Sequence, residues 1–138
     1  MHIALLKRWV LLGLTGVDAA VFLFWGYVNL RAWLWGAEVV FGIPIGEMQR
    51  LGTPLIFAIL GLAVVAKTVA FWSVFRRHRW ALWPYLLGAL CQLSLWVTAT
   101  SNPHYEGGFG FLVMVIEVCA SALLYDAWRN HVRKPQSG

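Results

Sequence analysis

Residues 53–79 read TPLIFAILGLAVVAKTVAFWSVFRRHR, and this stretch decides the fold. Thr53 and Pro54 form a helix start, a capping hydroxyl followed by proline in the first turn, where its missing N–H costs nothing. Then come twenty-one residues with Lys67 as the only charge, ending at Arg76-Arg77-His78-Arg79. At about 1.5 Å per residue, such a run crosses a hydrocarbon core of ~30 Å. A charge cluster at one end of an apolar run is the mark of a membrane span with a basic flank.

The same reading extends in both directions. A span over residues 9–30 follows Lys7 and Arg8 and is too long for the apolar region of a cleaved signal, so it is read as a retained helix. Spans over 53–75, 80–100 and 109–128 complete the set, with Pro84 tolerated in the first turn of the third. The expected fold is an all-α membrane protein, a bundle of four transmembrane helices in a single domain over 1–138. Residues 31–52 form an outer interfacial connector and 129–138 a tail. The connector is apolar, with Trp33, Trp35, Val39, Val40 and Phe41 suited to the interface. Gly42 to Gly46 should then break any helix, and whether 31–52 makes a lid stays open. Residues 101–108 (SNPHYEGG) read as a tight polar hairpin, and the end after Arg133 as mobile.

Composition agrees. Of 138 residues, 60% are hydrophobic and 12% charged, roughly half the charged share of a soluble domain, and nine are tryptophan. The net charge of +5 forms no basic face. Lys7, Arg8, Arg76, Arg77, Arg79, Arg129, Arg133 and Lys134 flank one set of span ends, against only Arg31 and Arg50 at the other. The positive-inside rule therefore places both termini in the cytoplasm, with a bacterial inner membrane as the default location. Nucleic acid is excluded as a partner. Membrane lipids, a homodimer or a larger membrane complex are the partners expected.

Function must lie in the polar residues at membrane depth. Asp18, Lys67, Gln92 and Glu117 fall roughly 12–18 Å from the basic ends of their spans, in one layer. Each charge there costs about 2.5–3.5 kcal/mol on insertion scales, so three in so small a chain call for an explanation. Asp18 and Lys67, on consecutive antiparallel helices, are the natural ion pair. Glu117 is the leading ligand-binding or proton-handling candidate, because Asp18 has its own cation and Glu117 has none unless Lys67 serves both. A carboxyl at that depth can donate a hydrogen bond when neutral, or act as general acid and base.

Helical spacing puts Thr15, Asp18, Phe22, Trp25 and Asn29 on one stripe, and Tyr85, Gly88, Gln92 and Trp96 on another. A third carries Glu117, Ser121 and Tyr125. The candidate site is thus Glu117, Asp18, Lys67, Gln92, Tyr85, Trp25, Trp96 and Tyr125. Gly13, Gly16 and Ala20 offer a close approach for the first helix.

Three functions fit. One is a polar and aromatic pocket that binds or transports a small amphipathic or lipid-like molecule. The second is an accessory subunit of a larger complex, with the polar layer as interhelical glue. The third is a small isomerase-type membrane enzyme using an intramembrane carboxylate. No catalytic residue is assigned, no cofactor is expected, and no motif ties the chain to a family. His104 and Glu106 are too few for a metal site. Cys91 and Cys119 read as buried free thiols.

Overall fold

A computed structural model describes residues 2–99 and 107–132. Among them the chain is helical: α1 His2–Trp35, α2 Ile45–Leu51, α3 Pro54–Phe75, α4 Leu82–Ala99 and α5 Gly107–Val132. Helices α1, α3 and α5 contain stretches long and apolar enough to cross a membrane, and α4 is a shorter apolar helix. Three helices of this length and apolarity are the mark of an integral membrane protein.

The packing is that of a membrane protein, with small and polar residues inside and large apolar ones outside. On α3 the buried stripe is Ala63, Ala66, Lys67, Ala70, Ser73 and Val74, while Leu62, Val65, Val69 and Trp72 are exposed. Alanines let backbones approach closely where lipid supplies no hydrophobic drive between helices. Helix α3 packs on α1 and α4, and α5 closes against both of those. At two points glycine eases the approach of α1 to α3: a Cβ on Gly16 would lie 3.3 Å from the Phe71 ring, and one on Gly26 3.1 Å from Val64, tight contacts from which the neighbour would have to withdraw slightly. Gly13, expected to serve this purpose, meets nothing, and Ala20 is exposed. Both sit outside the face turned to α3.

Hydroxyls facing lipid are satisfied within their own helices. Thr68 donates to the Val64 carbonyl (2.8 Å), Ser94 to Leu90 (2.9 Å) and Thr98 to Ser94 (2.8 Å). An unpaired hydroxyl in hydrocarbon would be costly, and the carbonyl one turn back removes that cost. Cys91 is buried as expected, but Cys119 is exposed, because the inner face of α5 runs through Val113, Glu117, Ala120 and Leu124.

The expected connector is more structured than its sequence suggests. Helix α1 runs on to Trp35, five residues beyond the expected end, and carries Trp33 and Trp35 exposed on its last turn. Val40 and Ile43 then exchange two backbone hydrogen bonds of 3.0 Å around Phe41 (φ 51°) and Gly42 (φ 79°). Positive φ at both central residues defines a type I′ turn. Phe41 adopts a conformation that costs a non-glycine residue about 1–2 kcal/mol. Its ring stacks 6.0 Å from Phe24 and lies 6.5 Å from Tyr27, which offsets that cost. The break at Gly42 to Gly46 is shorter than expected, since α2 restarts at Ile45 with Pro44 as its N-cap. Gln49 ties α2 to α1 by donating to the Asn29 carbonyl at 3.0 Å. The hairpin expected over 101–108 falls largely outside the described residues, as does the tail beyond Val132.

Candidate functional site: a lysine shared by two carboxylates

Three helices each supply one charged side chain to a single cluster. Lys67 of α3 donates to Asp18 Oδ2 of α1 at 2.7 Å and to Glu117 Oε1 of α5 at 2.5 Å. The side chains of Lys67 and Asp18 are fully sealed, and that of Glu117 is 6% exposed. The fourth helix supplies the surroundings. Tyr85 of α4 lays its ring 4.1 Å from the Lys67 ammonium, and the Phe22 ring of α1 lies at 5.6 Å. A desolvated ammonium over an aromatic face gains roughly 2 kcal/mol.

The path of the lysine depends on one residue. At Gly88 of α4 a Cβ would lie 2.7 Å from Lys67 Cε, 2.8 Å from Cδ and 3.0 Å from Cγ. Gly88 is therefore a notch through which the lysine stem passes to reach both carboxylates. Apolar packing closes the cluster on either side. Ala70, Val74, Ala81, Leu82, Tyr85, Ala120 and Leu124 pack together toward the basic end, and Phe22, Ala63, Cys91 and Val113 toward the other.

Two polar atoms in the cluster stay unused. Asp18 Oδ1 and the Tyr85 hydroxyl are both buried without a hydrogen-bond partner among the described residues, and that hydroxyl neighbours Asp18. An unpaired donor neighbouring the residue with an unpaired acceptor leaves the cluster unused hydrogen-bonding capacity.

The structure brings together Asp18, Lys67, Glu117 and Tyr85 from the residues singled out in the sequence. Gln92 is buried one turn beyond Gly88 on α4, and Trp96, a further turn along, is partly buried with its Nε1 unpartnered among the described residues. Trp25 belongs to a different feature. With Val17, Ala20, Val21 and Phe24 it lines a shallow, open apolar groove of about 530 Å³ on the exposed face of α1, all of its described lining coming from that one helix, level in sequence with Asp18. Tyr125 is not part of the cluster. It is 52% exposed and leans on Trp128, because it follows Leu124 and so points off the inner face of α5. His104 and Glu106 lie outside the described residues. Sequence spacing placed Gly88 on the right stripe but gave no sign of its role, since nothing in the local pattern shows which side chain a glycine admits.

Comparison with family models, with curated proteins and with solved structures finds no match.

Proposed function

We propose that the chain is a four-span bundle of the bacterial plasma membrane, with both termini cytoplasmic. In this reading it binds or transports a small amphipathic or lipid-like molecule, with the Asp18–Lys67–Glu117 cluster as its proton-holding centre. The observation that carries this is one ammonium shared by two carboxylates, with Lys67 and Asp18 fully sealed and Glu117 nearly so. With all three ionised, the cluster holds one net negative charge at membrane depth, where charge is expensive. One added proton makes it neutral. Glu117 is the member left slightly open, and so the one through which the proton is exchanged. When it takes the proton, the lysine keeps Asp18 alone, and the unused Tyr85 hydroxyl and Asp18 Oδ1 offer compensating hydrogen-bonding capacity. The apolar groove beside Trp25 supplies room for a lipid-like molecule along α1 at the depth of the cluster.

Infrared spectroscopy of the full chain in lipid bilayers tests the proton. A protonated-carboxyl band that titrates with pH and disappears in Glu117→Gln is the expected result. A band absent at every pH, or one that survives Glu117→Gln, overturns the role. Native mass spectrometry of gently extracted protein tests the ligand, the expected result being a retained small mass that Glu117→Gln removes without unfolding the bundle.

The full burial of Asp18 and Lys67 favours a second reading, in which the cluster is interhelical glue in an accessory subunit. That reading predicts copurification with a larger, different chain and a Glu117→Gln effect on stability alone. The same mass spectrum separates the two.

A further inference from the structure

Away from the cluster, where α1, α5 and the α3–α4 turn meet, a cavity of about 650 Å³ opens at the basic end of the molecule. Its deep wall is apolar, with Leu11, Val74 and Leu124. Its mouth carries Arg8, Arg77 and Arg79. Asp126 is the only carboxylate among the described residues that line it, and Lys7 holds it at 3.1 Å. The three arginines therefore face the cavity uncompensated.

Two further observations point to an anion. Arg8 lines the cavity, and its Nε is buried with no partner among the described residues, so its guanidinium is not tied down by a protein acceptor at that atom. Arg77 sits at φ 61°, in the left-handed region. It closes α3 in a Schellman motif, in which His78 N–H donates to the Ser73 carbonyl (2.8 Å) and Arg77 N–H to Val74 (3.1 Å). Glycine is the usual residue at that position. An arginine there carries strain that glycine would not, in a side chain that lines the cavity.

We propose that this cavity is a binding site for a single anionic phospholipid, with its phosphate on Arg8, Arg77 and Arg79 and an acyl chain against Leu11, Val74 and Leu124. Guanidinium groups suit phosphate because their planar N–H forks match its oxygens. The apolar wall makes the source a lipid and not a free ion. The site requires only that the helices lie in a bilayer, and it stands whether or not the buried cluster exchanges a proton.

The test is native mass spectrometry of the full chain in detergent, titrated with phosphatidylglycerol, with phosphatidylcholine of the same acyl chains, and with inorganic phosphate. One phosphatidylglycerol should be retained per chain, about tenfold more tightly than phosphatidylcholine, with inorganic phosphate retained weakly. Arg8→Gln and Arg77→Gly should each weaken phosphatidylglycerol about fivefold, while Arg31→Gln, at the far end, should change nothing. Arg77→Gly relieves the left-handed backbone, so it should fold at least as well as the parent, and a loss of lipid there is a loss of contact. Equal retention of the two lipids, no effect of either arginine variant, or inorganic phosphate held as tightly as the lipid would each overturn the site.

Discussion

The buried cluster and the basic end treat charge in opposite ways. At mid-depth every charge has a partner from another helix: Lys67 meets Asp18 and Glu117, and aromatic rings cover the ammonium. At the basic end the one carboxylate of the cavity is taken up by Lys7, and three arginines are left facing outward. The difference follows from solvent. Hydrocarbon offers no counter-ion, so the chain must carry its own, whereas the headgroup layer supplies phosphate and the chain can leave its arginines open. Polar layers in this molecule are thus self-sufficient inside and dependent on their surroundings at the edge.

The sharpest way to break that contrast is to remove the shared cation. Lys67→Met leaves two carboxylates buried without a partner and should cost about 3–5 kcal/mol in an unfolding titration. Adding Asp18→Asn and Glu117→Gln to it should recover most of the loss. Additive losses across the series would mean that the three do not act as a unit.

A smaller effect is expected from filling the notch. Gly88→Ala places a methyl against the Lys67 stem, and should cost about 1–3 kcal/mol by forcing the ammonium off its partners. Gly61→Ala is the matching control, since a Cβ there meets nothing within 4 Å, and no loss of stability is expected from it.

The smallest effect belongs to the exposed pair Arg50–Glu38, 2.7 Å apart with both side chains more than two-thirds exposed. Arg50→Gln should change stability by less than about 1 kcal/mol, and less still in high salt. A loss as large as that of Lys67→Met would erase the distinction between inner and outer charge.

The helices and the common level of Asp18, Lys67 and Glu117 were legible because both rest on properties that add along the chain: apolar run length, a rise of about 1.5 Å per residue and the spacing of residues on a face. Asp18 and Lys67 could be paired from depth alone. That Glu117 shares the same lysine stood only as one of two options, because the azimuth of α5 is set by its packing on α1 and α4, between residues far apart in sequence. Tyr125 shows the limit of a stripe drawn by spacing. It lies eight residues from Glu117, and the actual inner face passes one residue earlier, through Leu124. The connector hid its turn for a different reason. A type I′ turn asks for residues that tolerate positive φ, and Phe41 is a poor candidate whose ring contacts with Phe24 and Tyr27 come from across the fold.

Helix α1 spans His2 to Trp35 without interruption, about 50 Å of rod at the usual rise. Arg8 at the cavity, Asp18 in the cluster and the Asn29 carbonyl that anchors α2 are all mounted on it. Because the rod is continuous, a twist or a slide applied at one end arrives at the others with the same sign. A lipid pulling on Arg8 and a proton on Glu117 that leaves Lys67 to Asp18 alone would then be two hands on one shaft, with the turn beyond Trp35 as the pointer that reads their sum.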